Sequence, residues 1–452
     1  MVLSAKEEDF NNYASTVDVS LNKTTTKNQF FNGCILPNKW VLGFILYSLA
    51  FNMSVAQQGN NANDKRDSLI QNITLTDSTV LDRLSKVENE IARQKKRESH
   101  FMVVGLATMG FVLTSNTISQ SGVHSTTQTN SFPDADRFEI SPMLLWRHGK
   151  NLLIEFEPSW NGNSLGVNWG DISYFVKPGF IVRAGYLVLP FGIYTKRLAA
   201  GWINKLGSDP VGIADSPPSS DFGIEVEGGL PLGSMKWSYD ISLTNGMQLL
   251  KDGTLQNAGL VDNNKNKTVT GRLSLLPFSN SSLELGVSGM YGKVGDANSN
   301  QTAAISTMYA FDINYVKKLG PMLINAKGQY NQVNISSVTY KNPIDSSAYS
   351  FTNNSSSYFG QLSMRPITAP GILKNFELAG RYVNYTTPAM SSWGAITNEY
   401  NVALDYWFTW RSVLKLVYES RDVKNNTPAK LGGAPGDWNR INNFIIQYSV
   451  QF

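Results

Sequence analysis

Charged side chains that could handle ions recur at alternate positions within apolar segments of the sequence. The bases on these faces are Arg183, Arg272, Lys327, Arg365, Arg381 and Lys415. The acids on the same faces are Glu155, Glu157, Glu225, Glu227, Asp240, Glu284, Asp312, Glu377, Asp405 and Glu419. An anion-selective pore needs a succession of cations along a narrow lumen. Because the acids are at least as numerous, the sequence predicts a hydrated lumen of mixed sign.

The residues that a catalytic or metal site would require are scarce. The chain has 3 histidines and 1 cysteine. His100, His124 and His148 fall at a segment end, in a polar stretch and in a short turn. None stands beside a serine within a strand, as an esterase or protease would need. Because Cys34 is alone, it excludes an intramolecular disulfide and a multi-cysteine metal site. We therefore expect no enzyme, no metal and no cofactor.

β-Strands must position these charges, and the last strand has the clearest pattern. One face of it is apolar at period two: Phe444, Ile446, Tyr448, Val450 and Phe452. The other face is polar: Gln447, Ser449 and Gln451. A soluble strand could alternate in the same way, but it rarely ends the chain on an aromatic residue. A terminal aromatic is typical of the signal by which bacterial outer-membrane barrels engage their assembly machinery, here Tyr448, Val450 and Phe452.

Earlier segments repeat this alternation, giving about sixteen strands in all. We predict strands near 101–113, 137–147, 151–160, 167–177, 179–188, 221–231, 234–245, 267–277, 281–293, 305–317, 321–334, 356–366, 374–386, 399–409, 412–423 and 440–452. Short turns alternate with long polar loops, of which 114–136 is the first, as in outer-membrane barrels. Residues 100–452 are therefore predicted to form an all-β, antiparallel transmembrane barrel surrounded by outer-membrane lipid.

Two other segments precede the predicted barrel. Residues 1–56 are predicted to be a leader, because the apolar run 40–51 and a cleavage site near 56/57 indicate a secretory signal peptide. Residues 57–99 show helical spacing and predict a periplasmic coiled-coil stalk. The alternatives for the stalk are an amphipathic helix docked on the barrel and a partly disordered linker. The predicted stalk core is Ile70, Ile73, Val80, Leu84, Val87 and Ile91.

The composition supports a barrel and excludes several other classes. Charged residues make up 16% of the chain, below the roughly 25% of ordinary globular proteins. The mean hydropathy of -0.21 argues against a helical membrane protein, whereas a barrel averages to polar because its strands alternate. The formal net charge of +4 is too small to indicate nucleic-acid binding.

Three stretches resemble the phosphate-selective porin superfamily, the outer-membrane porins of the polyphosphate and phosphate type. They are 183–192, which contains Pro-Phe-Gly, then 221–230 with 237–246, and 402–408 with 413–418. The resemblance implies a trimeric porin with an N-terminal coiled coil and a third loop folded into the pore. That constriction loop would be about 189–220, and its pore-lining residues would be Pro190, Phe191, Gly192, Lys196, Arg197 and Lys205.

These observations predict a porin in the outer membrane of a Gram-negative bacterium. Small hydrophilic solutes or ions, with phosphate as one candidate, would diffuse through it passively. In the constriction loop, bases outnumber acids, which indicates a mild anion preference: Lys196, Arg197 and Lys205 against Asp209 and Asp215. The alternative is a structural barrel that is plugged by its loops and whose stalk binds a periplasmic partner or the cell wall. A hydrophobic-substrate transporter would need an apolar lumen, and the predicted lumen faces are polar.

Overall fold

A computed structural model of the chain describes residues 99–132, 134, 137–201, 203–214, 219–257 and 265–452. The chain divides into two units, Met1–Ala92 and Arg93–Phe452, and all described residues belong to the second. The predicted signal peptide and stalk core lie outside the described residues. Within the described ranges, no helix is long and apolar enough to cross a lipid bilayer.

The described residues form an all-β fold. The strands are β1 Ser99–Gln120, β2 Val123–Ser131, β3 Glu139–His148, β4 Leu152–Trp160, β5 Leu165–Lys177, β6 Phe180–Val188, β7 Ser220–Leu232, β8 Met235–Thr244, β9 Met247–Leu249, β10 Leu255–Asn257, β11 Thr268–Leu276, β12 Leu283–Lys293, β13 Ile305–Leu319, β14 Met322–Ile335, β15 Tyr340–Lys341, β16 Ala348–Tyr349, β17 Asn353–Arg365, β18 Phe376–Thr386, β19 Ala395–Thr409, β20 Ser412–Asn425 and β21 Trp438–Gln451. Short helical turns occur at Tyr194–Leu198, Gly371–Asn375 and Ala429–Leu431.

The main sheet closes into a barrel. It contains 17 strands, of which β2 pairs with β1 alone, and the other strands form a closed 16-stranded antiparallel ring. The remaining strands pair as two small hairpins within loops, β9 with β10 and β15 with β16. The predicted all-β fold with a 16-stranded antiparallel barrel is therefore confirmed, and the sixteen strands of the ring lie close to their predicted positions.

The seam of the ring lies at β1, which contacts two barrel strands. Its first half pairs with β3 and its second half pairs with β21. Phe452 extends this seam, because its N–H donates to the Gly105 carbonyl and its carbonyl accepts from the Gly105 N–H, both at 3.0 Å. A Cβ at position 105 would lie 2.6 Å from the Phe452 ring. Glycine therefore lets the terminal aromatic ring pack against the first strand.

Alternation along the strands gives the barrel a polar inner face and an apolar outer face. In β19, Glu399 and Asp405 point inward and are buried, whereas Tyr400 and Val402 point outward and are 53% and 55% exposed. A closed ring satisfies the backbone hydrogen bonds of every strand, and its apolar exterior suits contact with hydrocarbon.

The last strand follows its predicted pattern. On the outer face, Phe444 and Phe452 are exposed, and on the inner face Gln447 and Ser449 are buried. The faces of this strand were thus predictable from alternation alone.

The first long connection differs from its prediction. The sequence predicts a polar loop over 114–136, but β1 continues to Gln120 and pairs with β2. The hairpin turns at Ser121 and Gly122, whose φ angles of 50° and 81° match the twist of a two-residue turn. Both faces of this hairpin are polar, so its composition resembles that of a loop. Its threonines nevertheless favour extended backbone.

Candidate functional site

The connection between β6 and β7 folds into the lumen, beginning with a Pro-Phe-Gly sequence. Gly192, the last residue of this tripeptide, has a φ of 67°. A Cβ at this position would lie 2.1 Å from the Gln329 side-chain amide. The backbone can approach β14 this closely because glycine has no side chain. The Gly192 N–H donates to Ser288 Oγ at 3.0 Å, and the next two N–H groups donate to Gln329 Oε1 at 2.9 Å. These bonds attach the loop to β12 and β14.

The inner face of β4–β8 is acidic, and we call it the acidic wall. Its carboxylates include Glu155, Glu157, Asp171, Glu225, Glu227 and Asp240. Lys196 of the loop lies against three of them, with Nζ 2.7 Å from Glu225, 3.0 Å from Glu227 and 3.4 Å from Asp240. Arg183 of β6 lies 3.3 Å from Glu155 and 3.5 Å from Glu227, and its Nε donates to Asp171 at 3.1 Å. The carboxylates of this wall outnumber its cations.

Part of the acidic wall has the spacing of a cation site. Glu225, Glu227 and Asp240 each offer a carboxylate oxygen, and these oxygens lie within 4.8 Å of one another. The ammonium group of Lys196 is already in contact with all three. The cluster therefore binds the loop.

A second ion-pair cluster lies on β11–β13. Arg272 is buried and lies 2.6 Å from Asp312 and 3.0 Å from Glu284. Arg197 of the loop reaches the same Glu284 at 2.7 Å, and its side chain is 40% exposed. Arg197 is thus a loop cation that remains in contact with solvent.

The inner face of β17–β20 carries both signs, and we call it the mixed wall. Its charged residues are Glu377, Arg381, Glu399, Asp405, Lys415 and Glu419. Here the wall cations bind the backbone of the loop. Arg381 Nη2 donates to the Ser208 carbonyl at 2.9 Å, and Lys415 Nζ donates to the Gly201 carbonyl at 2.6 Å. The loop therefore reaches across the lumen from the acidic wall to the mixed wall.

The third predicted loop cation, Lys205, is also paired. Its Nζ lies 3.1 Å from Glu377 and 4.2 Å from the centre of the Trp407 ring. Trp407 donates to the same carboxylate at 2.8 Å. Each loop cation on which the predicted anion preference depends is thus within ion-pair distance of a wall carboxylate.

Two other predicted pore-lining bases are not members of these ion pairs. Arg365, at the end of β17, donates through Nε to the Lys374 carbonyl at 2.8 Å. Lys327 of β14 is 5% exposed and points into the lumen. The structure therefore distributes the predicted bases around the barrel and does not stack them in one ladder.

The lumen also contains an apolar region that the sequence analysis did not anticipate. Its buried residues are Leu189, Phe191, Met247, Leu249, Met290, Val294, Ala304, Met308, Ala310, Val333, Ile335, Tyr340 and Phe351. They come from the inward faces of β12–β14 near the long loops and from the loop hairpins. Phe191 and Pro190 are buried here, so Phe191 anchors the start of the constriction loop in this cluster. The expectation of uniformly polar lumen faces is therefore wrong for this region.

Several contacts that hold the loop were not identified from the sequence. Gln329 and Ser288 accept hydrogen bonds from the loop backbone, and Gly201 and Ser208 offer carbonyls to wall cations. Backbone carbonyls have no residue signature, so spacing could not reveal the roles of Gly201 and Ser208. The inward position of Gln329, two residues after Lys327, was available from strand alternation.

Comparison with known proteins gives matches at the level of structure alone. No protein-family model matches the chain, and no curated protein matches it. The anion-selective porin from Comamonas acidovorans is similar at a TM-score of 0.50 and 13% identity, covering 78% of this chain and 100% of that chain. The outer-membrane channel DcaP of Acinetobacter baumannii gives a TM-score of 0.47 and 10% identity, covering 79% of this chain and 98% of that chain. The chain therefore has a porin-type fold.

Proposed function

We propose that this chain is an outer-membrane porin through which small hydrophilic solutes or ions diffuse passively. The observation that carries the proposal is the closed barrel with an apolar exterior, a charged inner face and a long loop folded across its lumen. A charged inner face holds water, and an inward loop narrows the water-filled path to a size that sorts small solutes.

The ion preference of the pore is part of the same proposal. Lys196, Arg197 and Lys205 motivate a mild anion preference, with phosphate as one candidate solute. The ion pairs argue against an anion preference, because every one of these cations has a carboxylate within ion-pair distance. The preference therefore depends on Arg197, which keeps 40% of its side chain exposed, against the surplus carboxylates of the acidic wall.

The experiment is a planar-bilayer recording of the purified, folded chain under a KCl gradient. We expect stepwise conductance of a water-filled pore, and the sign of the reversal potential gives the preferred ion. A folded barrel that inserts but conducts no ions would contradict the diffusion function. A reversal potential of the cation-selective sign would retain the pore and remove the anion preference.

A structural barrel is the second candidate function, and two observations favour it. The loop is bound to both the acidic and the mixed wall, and the apolar cluster fills part of the lumen near the long loops. A barrel filled in this way could act as a scaffold whose stalk binds a periplasmic partner or the cell wall. Absence of conductance together with cell-wall binding of the full chain would support this candidate.

Location and assembly are further parts of the proposal. We place the chain in the outer membrane of a Gram-negative bacterium as a homotrimer, and we infer that the barrel-assembly machinery recognises Tyr448, Val450 and Phe452 of the last strand. The apolar outer face and the bonds between Phe452 and Gly105 support this placement. Removal of Phe452 is expected to lower the yield of folded barrel in the outer membrane, as measured by heat-modifiable migration on gels.

A further inference from the structure

The short turns at one end of the barrel carry basic residues and no acidic ones. Seven turns join successive strands at this end, where the first strand also begins and the last strand ends. The segments that contain these turns are 147–152, 177–180, 232–236, 276–283, 317–322, 365–376 and 409–412, all within the described residues, and none of them contains Asp or Glu. Their bases, which we call the basic rim, are Arg147, Lys150, Lys177, Lys236, Lys317, Lys318, Arg365, Lys374 and Arg411.

The single sign of the basic rim does not follow from the composition of the chain. The whole sequence has 39 bases and 35 acids, and the opposite end of the barrel carries both signs, as in the ion pair of Arg440 with Asp422. No base of the rim lies within ion-pair distance of a described carboxylate, and all but Arg365 are exposed. An exposed ring of uncompensated positive charge attracts an anionic surface.

The bases are distributed around the whole circumference of the barrel. Six of the seven turns contribute a base of their own. The seventh, at 277–282, receives one from a neighbouring strand, because Lys236 Nζ donates to Ser281 Oγ at 3.0 Å. A protein partner or a strand of the cell wall would contact one arc of the rim, whereas lipid surrounds a barrel on all sides. The distribution therefore favours lipid head groups.

Exposed apolar side chains accompany the rim bases. Trp410, in the turn after β19, is 68% exposed, and the Arg411 guanidinium lies 4.1 Å from the centre of its ring. Three aliphatic residues next to rim bases are also exposed: Val176, Leu319 and Leu373. Apolar side chains beside Lys or Arg are typical of the membrane interface, where the apolar part enters the hydrocarbon and the charge reaches the head groups. The rim therefore suits lipid better than a partner in water.

We propose that the basic rim binds the phosphate groups of anionic phospholipids in the leaflet that faces the periplasm. Short turns face the periplasm in outer-membrane barrels, so this inference rests on the outer-membrane location proposed above. Each Lys or Arg near an anionic lipid surface strengthens the association with that surface. The barrel thereby enriches phospholipids such as phosphatidylglycerol around its periplasmic end.

The test is a measurement of lipid selectivity with the full chain reconstituted in dioleoylphosphatidylcholine vesicles. Electron paramagnetic resonance of spin-labelled phosphatidylglycerol and spin-labelled phosphatidylcholine reports the fraction of each lipid that the protein immobilises. We expect phosphatidylglycerol to associate about fivefold more strongly at low ionic strength. Added salt should reduce this preference because it screens exposed charges. Equal association of the two lipids at low ionic strength would overturn the proposal.

Two matched variants separate the rim from the net charge of the chain. Each variant loses four exposed bases, and heat-modifiable migration on gels verifies that it is folded. The rim variant carries Lys177→Gln, Lys318→Gln, Lys374→Gln and Arg411→Gln, and the loop variant carries Lys251→Gln, Lys341→Gln, Lys424→Gln and Lys430→Gln at the opposite end. We expect the rim variant to lose most of the preference for phosphatidylglycerol and the loop variant to keep it. An equal loss in both variants would overturn the assignment to the rim.

The same variants test the cell wall as the alternative partner. If the rim variant loses binding to purified cell-wall sacculi but retains the preference for phosphatidylglycerol, the rim binds the cell wall and the lipid proposal is overturned. Free glycerol phosphate is the probe for a small phosphate site. Loss of the lipid preference in the presence of excess glycerol phosphate at constant ionic strength would also overturn the proposal.

The outcomes also separate this inference from the proposed function. A conducting pore without a preference for phosphatidylglycerol overturns the role of the rim and leaves diffusion intact. A barrel that shows the preference but conducts no ions supports the role of the rim and contradicts the diffusion function.

Discussion

The acidic wall and the mixed wall hold the same loop through different kinds of contact. At the acidic wall, the loop supplies the cation, Lys196, and the wall supplies the carboxylates. At the mixed wall, the wall supplies the cations, and Arg381 and Lys415 bind the loop carbonyls of Ser208 and Gly201. The acidic wall therefore contacts the loop through the side chain of Lys196, whereas the mixed wall also binds loop backbone carbonyls, in addition to the pair of Lys205 with Glu377.

The two walls also differ in how much of their charge water can reach. On the acidic wall, the side chains of Glu155 and Glu227 are 21% and 22% exposed, whereas those of Asp171 and Glu225 are 0% exposed. On the mixed wall, Arg381 and Glu399 are 0% exposed at the side chain. A permeating ion interacts with hydrated charge more than with buried pairs, so the acidic wall should govern selectivity. The buried pairs of the mixed wall should govern stability.

The largest expected effect comes from removing the bridge between the walls. Replacing residues 194–213 by a short Gly-Ser linker deletes the contacts to both walls and widens the lumen. We expect single-channel conductance to rise several-fold in planar bilayers. Shortening the β1–β2 hairpin over 120–123 is the matched control, because the strand register pairs these residues only within the hairpin. Unchanged conductance after removal of the loop would show that the constriction lies elsewhere.

Neutralising the cation at the acidic wall tests the assignment of selectivity. Lys196→Met leaves Glu225, Glu227 and Asp240 without their ammonium partner. We expect the reversal potential under a KCl gradient to move toward cation selectivity, whatever its sign in the parent protein. Lys318→Met removes the same charge from an exposed position and should leave the potential unchanged. An equal shift in both variants would mean that net charge, and not this wall, determines the preference.

Substitutions in the mixed wall should change the stability of the barrel more than its ion selectivity. Lys415 and Asp405 are opposite each other on β20 and β19, and both are buried. Lys415→Met should destabilise the barrel by about 3 kcal/mol, because it removes the bonds from Nζ to Gly201 and Gln447 and leaves the buried Asp405 opposite it without a neighbouring positive charge. Adding Asp405→Leu should restore most of the thermal midpoint, since replacing both partners removes the unpaired charge. No recovery in the double variant would indicate that the Gly201 contact dominates.

The contrast between the walls also explains how far the sequence could predict the structure. Alternation at period two revealed the faces of Glu377, Asp405 and Phe452, because each strand buries one face of fixed chemistry. It also placed Lys415 and Asp405 inside the barrel. What it could not reveal is which loop atoms they meet, because Gly201 and Ser208 contribute carbonyls that every residue possesses.

Two other differences between the predicted and the observed structure also have physical causes. The hairpin after Gln120 has polar residues on both faces, so no apolar stripe marks it as a strand. In the apolar cluster, the inward face of β13 changes from Asp312 to Met308 along one strand. The two-residue alternation of β13 continues through this change. Alternation therefore predicts which side chains point inward, but it does not predict whether they contact water or a folded loop.

The smallest expected effect comes from breaking a solvent-exposed ion pair, which serves as the reference for the buried pairs. Arg440 and Asp422 form an ion pair on β21 and β20 with side chains that are 52% and 38% exposed. Such pairs contribute about 0–1 kcal/mol because water and salt screen them. Arg440→Gln should therefore barely move the thermal midpoint, whereas Arg272→Gln should lower it markedly, since its pair with Asp312 is 2% and 0% exposed. Equal effects of the two substitutions would mean that burial does not set the strength of these pairs, and the distinction between hydrated and buried walls would fail.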